Sequence, residues 1–311
     1  QEAALAAVRG ALDDRDDATL GGRAAAILEP LYESTGADHA LSDLLVTTAG
    51  REVGSERVRR LVRVAQLRER RLGDPAGALE VTVQALRAAV GEPELPDLLV
   101  EVERLAAELG REGDLFEIYR GIADDVLAAD RQRWLYLDVA DLALAVRDDA
   151  ALARTYYQKV LDGQPDDPRA LGALEGLYRR GGDVPALYDL LTQKAELVSD
   201  PGEKLAALTE LATLAAGPVD RPDDAIAAWE EILEVDPSRA DAVAALDGLY
   251  RRERRWPDVV DLYERRMGFV VTIEGAVALR VKLAEVQERE LAHRAAAIGS
   301  YAAALGGDPG N

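Results

Sequence analysis

Side chains able to do chemistry are few in this chain, and they are scattered. His39 and His293 are the only histidines, each at a turn or a helix start. Neither has neighbours at the spacing a metal centre or a general-base site needs. There is no cysteine, which removes disulfides, thiolate nucleophiles and Cys-based zinc sites together. No GxxxxGK[ST], GxGxxG, HExxH or GxSxG string occurs. Acidic pairs such as Asp13-Asp14, Asp166-Asp167 and Glu230-Glu231 have the composition of an acid/base dyad or a calcium site. Most of them flank helix N-termini, where a carboxylate complements the helix dipole. The expectation is no catalytic residue, no cofactor and no metal.

Charge is the second candidate for chemistry. The formal net charge is −21 and the sequence pI about 4.6, which repels phosphate and excludes a nucleic-acid backbone as the general partner. Inside this acidic chain the stretch RVRRLVRVAQLRERR (57–71) is strongly basic. It reads either as a dock for an acidic segment or phosphate, or as a face paired with acidic neighbours, the reading favoured here. The RRERR run at 251–255 closes a helix, as Arg179-Arg180 does, where cations offset the C-terminal dipole. No 18-residue apolar run exists, so no membrane-spanning helix is expected. A cysteine-free chain leaves the compartment open. It begins at Gln1 without an initiator Met, so an upstream part is expected.

The elements that would position any site form a repeat. In DRPDDAIAAWEEILEVDP (220–237) a turn precedes a helix carrying Ala225, Trp229 and Leu233 on one face, and Pro237 ends it because proline lacks the amide a helix interior needs. Ala153, Tyr157, Leu161 and Pro165 stand 72 residues before these positions, and Ala297, Tyr301, Leu305 and Pro309 stand 72 after. The spacing predicts helix-turn-helix hairpins over 19–50, 55–91, 97–128, 131–164, 168–198, 202–236, 239–270 and 274–309, after a half hairpin over 1–18. Their turns are marked by Gly36, Gly73, Gly113, Asp148, Gly182, Asp220, Arg254 and Ala292. Five residues beyond each marker, Leu41, Ala78, Ile118, Ala153, Leu187, Ala225, Val259 and Ala297 alternate large and small. Two kinds of hairpin therefore take turns. First helices of one kind carry Ala65, Ala140, Ala212 and Ala284, which let backbones approach. Those of the other carry Leu171, Leu174, Leu177 and Tyr178, echoed by Val243, Leu246, Leu249 and Tyr250, which fill the space left. Asp200-Pro201 and Asp167-Pro168 each place Asp at an N-cap and Pro at the first helical position.

Ala153, Tyr157 and Pro165, with their counterparts at Ala225, Trp229, Pro237 and Ala297, Tyr301, Pro309, resemble the second helix of the tetratricopeptide repeat (TPR). Gly73-Asp74 and Gly182-Asp183 are similar to its turn. The resemblance runs from about residue 20 to the end. Departures exist: Leu61, Tyr136, Leu208 and Arg280 replace the family's first-helix Trp, Leu187 and Val259 replace its second-helix Ala, and Thr82 replaces the aromatic. The resemblance implies an all-α fold, a right-handed TPR-like superhelix of about eight hairpins in two-hairpin super-repeats of 72–75 residues, read as a single array and a piece of a longer one.

It also implies a concave groove, lined by the first helices, that holds a protein or peptide. The family's groove positions fall on Arg59, Val62 and Gln66, on Trp134, Leu137 and Asp141, on Ala206, Thr209 and Thr213, and on Ala278, Val281 and Glu285; Arg63 on the basic helix is a further partner-binding candidate. The lining is largely small and apolar, so an apolar or helical ligand is expected. The aromatics Tyr157, Trp229 and Tyr301 are expected in the core. Three functions are compatible: a non-catalytic interaction scaffold, a structural subunit of a large assembly with self-association, and a regulatory arm fused to a catalytic domain outside this chain.

Overall fold

The computed structural model describes residues 18–307, together with Val8 and Gly10; the half hairpin expected over 1–18 and the proline at 309 lie outside the described residues. The contacts divide the chain into two compact units, Gln1–Gly163 and Gln164–Asn311. The first unit holds α1 (Ala18–Thr35), α2 (Asp38–Ala49), α3 (Gly54–Arg70), α4 (Pro75–Ala88), α5 (Leu95–Glu108), α6 (Leu115–Arg120), α7 (Ala129–Arg147) and α8 (Ala150–Gly163). The second holds α9 (Pro168–Gly181), α10 (Val184–Leu197), α11 (Pro201–Ala216), α12 (Pro222–Val235), α13 (Ala240–Arg252), α14 (Trp256–Met267), α15 (Ile273–Arg289) and α16 (Arg294–Gly307). No strand occurs among the described residues, and the fold is all-α.

Within each unit the dominant contacts join helices consecutive in sequence, the arrangement that lets hairpins unable to bury a face alone bury it on their neighbours. The small and large positions five residues beyond the turn markers do this work. Ala78, Ala153, Ala225 and Ala297 are buried, as are Leu41, Leu187 and Val259. So are the first-helix alanines Ala65, Ala140, Ala212 and Ala284. Local signals also act as read. The Asp167 carboxylate accepts from the Ala170 N–H at 2.8 Å and the Asp200 carboxylate from the Glu203 N–H at 2.9 Å, each closing an N-terminus that Pro168 or Pro201 begins.

The turns share one backbone device. Gly36, Gly73, Asp148, Gly182, Asp220, Arg254 and Ala292 all have φ between 51° and 66°, the left-handed conformation that ends a helix by letting the next amide reach back. The third hairpin-turn position in that series is Gly110 (φ 64°), not Gly113. A 3₁₀ turn over Glu112–Asp114 follows it, so the Gly113-Asp114 dipeptide imitates the turn motif three residues late. The residue five beyond Gly110 is Leu115, and the large–small alternation survives the correction. Arg254 and Ala292 hold the left-handed conformation without glycine's freedom, at a cost of roughly 1–2 kcal/mol each. Arg254→Gly and Ala292→Gly are each expected to raise stability by roughly 1 kcal/mol in chemical denaturation; no gain at either position would mean the left-handed conformation is not strained there.

Two expectations fail locally. The helix expected over 114–128 is only the six residues of α6. Beyond Arg120 the amides bond to carbonyls three or four back, Ile122 N to Tyr119 O at 3.1 Å and Asp125 N to Ile122 O at 3.0 Å. This irregular path buries Ile122, Ala123 and Val126, which a straight helix interrupted by Gly121 would not hold together. Tyr157 and Trp229 are core residues, but Tyr301 is only partly buried, because no described helix follows α16 to cover the face that α13 covers on α12.

Candidate functional site

The basic helix α3 and Arg71 just beyond it engage part of their charge with acidic neighbours. Arg63 pairs with Glu29 and Glu33, Arg60 with Glu52 at 2.6 Å and Glu29 at 3.4 Å, and Arg71 with Asp38 at 2.6 Å. The Arg68 Nε donates to the Ser42 hydroxyl at 3.2 Å. The hydrogen bonds that Arg60 donates to Glu52 and Arg63 donates to Glu29 hold their guanidinium pKa values above the ordinary value despite partial burial, so these side chains stay charged and engaged. The 251–255 run is spent in the same way. Arg251 bonds to Asp247 at 2.7 Å, Arg252 donates to the Ala216 carbonyl at 3.1 Å, and Arg255 bonds to Asp258 at 2.7 Å. Arg179 bridges Glu175 and Glu210.

Of the acidic pairs, Asp13-Asp14 lies outside the described residues, while Glu230, Glu231 and Asp167 are engaged. Glu230 accepts from the Tyr250 hydroxyl and Glu231 meets Lys204 at 2.7 Å, while Asp167 is the cap already described. Both histidines are exposed, and no group of three or more metal-capable side chains is found among the described residues. No described helix is long and apolar enough to cross a membrane.

The groove positions predicted from sequence divide into three kinds. Arg59, Gln66, Ala206, Thr213 and Ala278 are exposed, and Val62, Arg63, Trp134, Thr209, Val281 and Glu285 are partly so. Leu137 is a correction. It is only 2% exposed and offers no surface to a partner, because α7 is packed on more than one side, with Leu135, Leu137, Val139, Ala140 and Ala143 all buried. Asp141 is partly exposed but accepts the Tyr157 hydroxyl. That bond belongs to a pattern the sequence reading missed. Tyr119 donates to Glu103 at 2.7 Å and Tyr263 to Asp247 at 2.8 Å, each from the second helix to a first-helix carboxylate sixteen residues earlier, the same spacing as Tyr157 to Asp141. A search for carboxylates sixteen residues before each tyrosine would have found it.

The structure adds apolar clefts at one recurring place, where a first helix of the large-residue kind begins. One, of about 400 Å³, is lined by Pro96, Leu99 and Val100 of α5 and by Asp130, Arg131 and Trp134 of α7. A second, of about 500 Å³, is lined by Pro168, Leu171 and Gly172 of α9, by Leu197 of α10 and by Glu203 and Ala206 of α11. Pro96 and Pro168, Leu99 and Leu171, Val100 and Gly172, Arg131 and Glu203, and Trp134 and Ala206 are each 72 residues apart. A third cleft, of about 380 Å³, lies 72 residues further on, where Val243, Arg266 and Phe269 correspond to Leu171, Lys194 and Leu197. Of the expected groove residues, Trp134 and Ala206 line clefts of this series. Arg59 and Arg63 instead line a polar recess with Glu29, Glu52, Glu56 and Arg60.

These helix-turn-helix hairpins are similar to the tetratricopeptide repeat. Residues 170–205, from α9 into α11, match the family model described as tetratricopeptide repeat. Among solved structures, MamA is 21% identical over 56% of this chain and 96% of its own, with a TM-score of 0.32. YrrB, described as a TPR protein with an unusual peptide-binding site, is 14% identical over 57% of this chain and 87% of its own, at 0.32. A tetratricopeptide repeat protein from Parabacteroides merdae is 13% identical over 81% of this chain and 93% of its own, at 0.33. So distant a likeness transfers no partner to this chain. No curated protein matches the sequence.

Proposed function

We propose that this chain is a non-catalytic scaffold that binds partner proteins or peptides. The observation that carries this reading is the recurrence of an apolar cleft at one repeat register, in both units. Recesses of 380–500 Å³ with apolar floors and a few polar rim groups suit anchoring side chains of a partner. Partner-facing candidates are the cleft residues together with Arg59, Val62, Gln66, Thr209, Thr213, Val281 and Glu285. Nucleic acid is not a partner on this reading, given the −21 charge.

The test is site-specific photo-crosslinking in an extract of the source cells. A crosslinking amino acid at Trp134, Ala206 or Thr213 is expected to capture the same partner band repeatedly, whereas one at the ion-paired Arg71 is not. Crosslinks that join only copies of the chain to one another would replace the scaffold with a structural subunit that self-assembles.

A further inference from the structure

The first two clefts of the series are the same recess with different furniture. In α5 and α7 the positions are filled by Val100 and by Trp134, whose indole stands edge-on to Tyr119 with ring centroids 5.6 Å apart. In α9 and α11 the same two positions are Gly172 and Ala206, and the cleft is larger, about 500 against 400 Å³. A Cβ built on Gly172 would have no atom within 4 Å. The floor remains apolar, with Pro168 and the buried Leu171 below and the part-exposed Leu197 at the rim.

The rim charge is lopsided. Asp166, Asp200 and Glu203 stand around the opening. The single cation there, Lys194, is already bonded to Glu175 at 2.8 Å, and it lowers the Glu175 pKa, with Arg179, against the opposing effect of burial. An apolar recess missing an indole and ringed by carboxylates favours an aromatic group that arrives with positive charge beside it.

We propose that the cleft between α9, α10 and α11 seats an aromatic side chain from a basic segment of a partner protein, in the place that Trp134 occupies in the companion cleft. This rests on the scaffold reading and names the chemistry of one of its anchors.

The probe is a fluorescein-labelled peptide, Lys-Lys-Trp-Leu-Lys-Lys, titrated with the whole chain by fluorescence anisotropy. Saturable binding is expected, weakened at least about tenfold, or about 1.4 kcal/mol, when the peptide's Trp becomes Ser or its lysines become Glu. The double variant Gly172→Val/Ala206→Trp rebuilds the companion cleft's side chains and is expected to bind at least about tenfold more weakly. Both positions are exposed on helices and a Cβ at Gly172 meets open space, so the variant's thermal midpoint is expected to hold, which separates a filled cleft from a misfolded one. Equal binding by the filled variant, or equal binding of the Ser peptide, overturns the proposal, the latter because it would reveal attraction to acidic surface alone. If sedimentation velocity instead shows a dimer that the filled variant disperses, the occupant is a second copy and the proposal also fails. Loss of peptide binding with crosslinking at Trp134 and Thr213 intact removes this inference alone; loss of both removes the scaffold as well.

Discussion

Leu187→Ala is expected to destabilise the second unit by about 2–5 kcal/mol, the range for deleting a buried leucine side chain into a partly collapsing cavity. Ala225→Leu is expected to cost about 1–3 kcal/mol, by forcing three extra carbons into a filled space. Both residues belong to one core cluster with Val259, Leu211 and Trp229. Side chains bridge their helices, since the Tyr188 hydroxyl donates to Asp224 at 2.8 Å and the Arg221 guanidinium lies 5.2 Å from the Tyr188 ring centroid. If the alternation of large and small is mutual packing, the double variant, which moves the volume rather than removing it, will be less damaged than the sum of the singles. A coupling of about 0.5–3 kcal/mol is expected for residues sharing a cavity. The readout is hydrogen exchange of the α10 and α12 amides, which reports this unit separately from the first. Additivity within about 0.5 kcal/mol would mean the alternation is incidental to packing.

What could be read from sequence follows from which interactions leave a one-dimensional trace. Proline stops, Asp caps and left-handed turn residues are local, so Asp167-Pro168, Asp200-Pro201 and the positive-φ markers were legible, and Arg254 and Ala292 were found by period even where their residue types argue against that conformation. Burial five residues beyond the marker was legible because stacking repeats at the same place. The turn at Gly110 was misplaced because Gly113-Asp114 carries the stronger dipeptide signal, and only the backbone angle separates the two. Leu137 was misread because a groove position borrowed from the family assumes a helix with one free face, and α7 has fewer. Asp141 looked available because a hydrogen bond from Tyr157 leaves no mark on composition. The clefts were invisible for a different reason: they are defined by what Gly172 and Ala206 lack, and a missing side chain signals nothing until its counterparts Val100 and Trp134 are seen around the same kind of space.

Alkaline pH is expected to unfold both units through their tyrosines. Burial first, and then the acceptor carboxylate, push the Tyr119 phenol up beside Glu103 and the Tyr250 phenol up beside Glu230, well above the ordinary value. Tyr263 is also raised, by burial and by Asp247, with Arg251 opposing. All three side chains are essentially inaccessible. Tyr136, more exposed, is pushed up to about 12 by burial and the Asp124 carboxylate.

A phenol whose pKa is higher folded than unfolded holds its proton longer in the native state. Its contribution is therefore complete below about pH 10, where the unfolded chain is still protonated, and is lost as pH rises from there toward the folded value. Each such tyrosine subtracts about 1.4 kcal/mol per pH unit in that window. In the second unit Tyr250 and Tyr263 are shifted in the same direction, so their losses add as pH rises above about 10. Helical circular dichroism and phenolate absorbance followed together should therefore change as one transition above pH 10. Tyr250→Phe should be less stable at pH 7 by about 1 kcal/mol, for the lost bond to Glu230, yet its stability should fall with pH less steeply by about 1.4 kcal/mol per unit. Phenolate absorbance that rises fully while the helices remain intact would show that these hydroxyls ionise in the folded state and that their carboxylate bonds contribute little to holding the hairpins together.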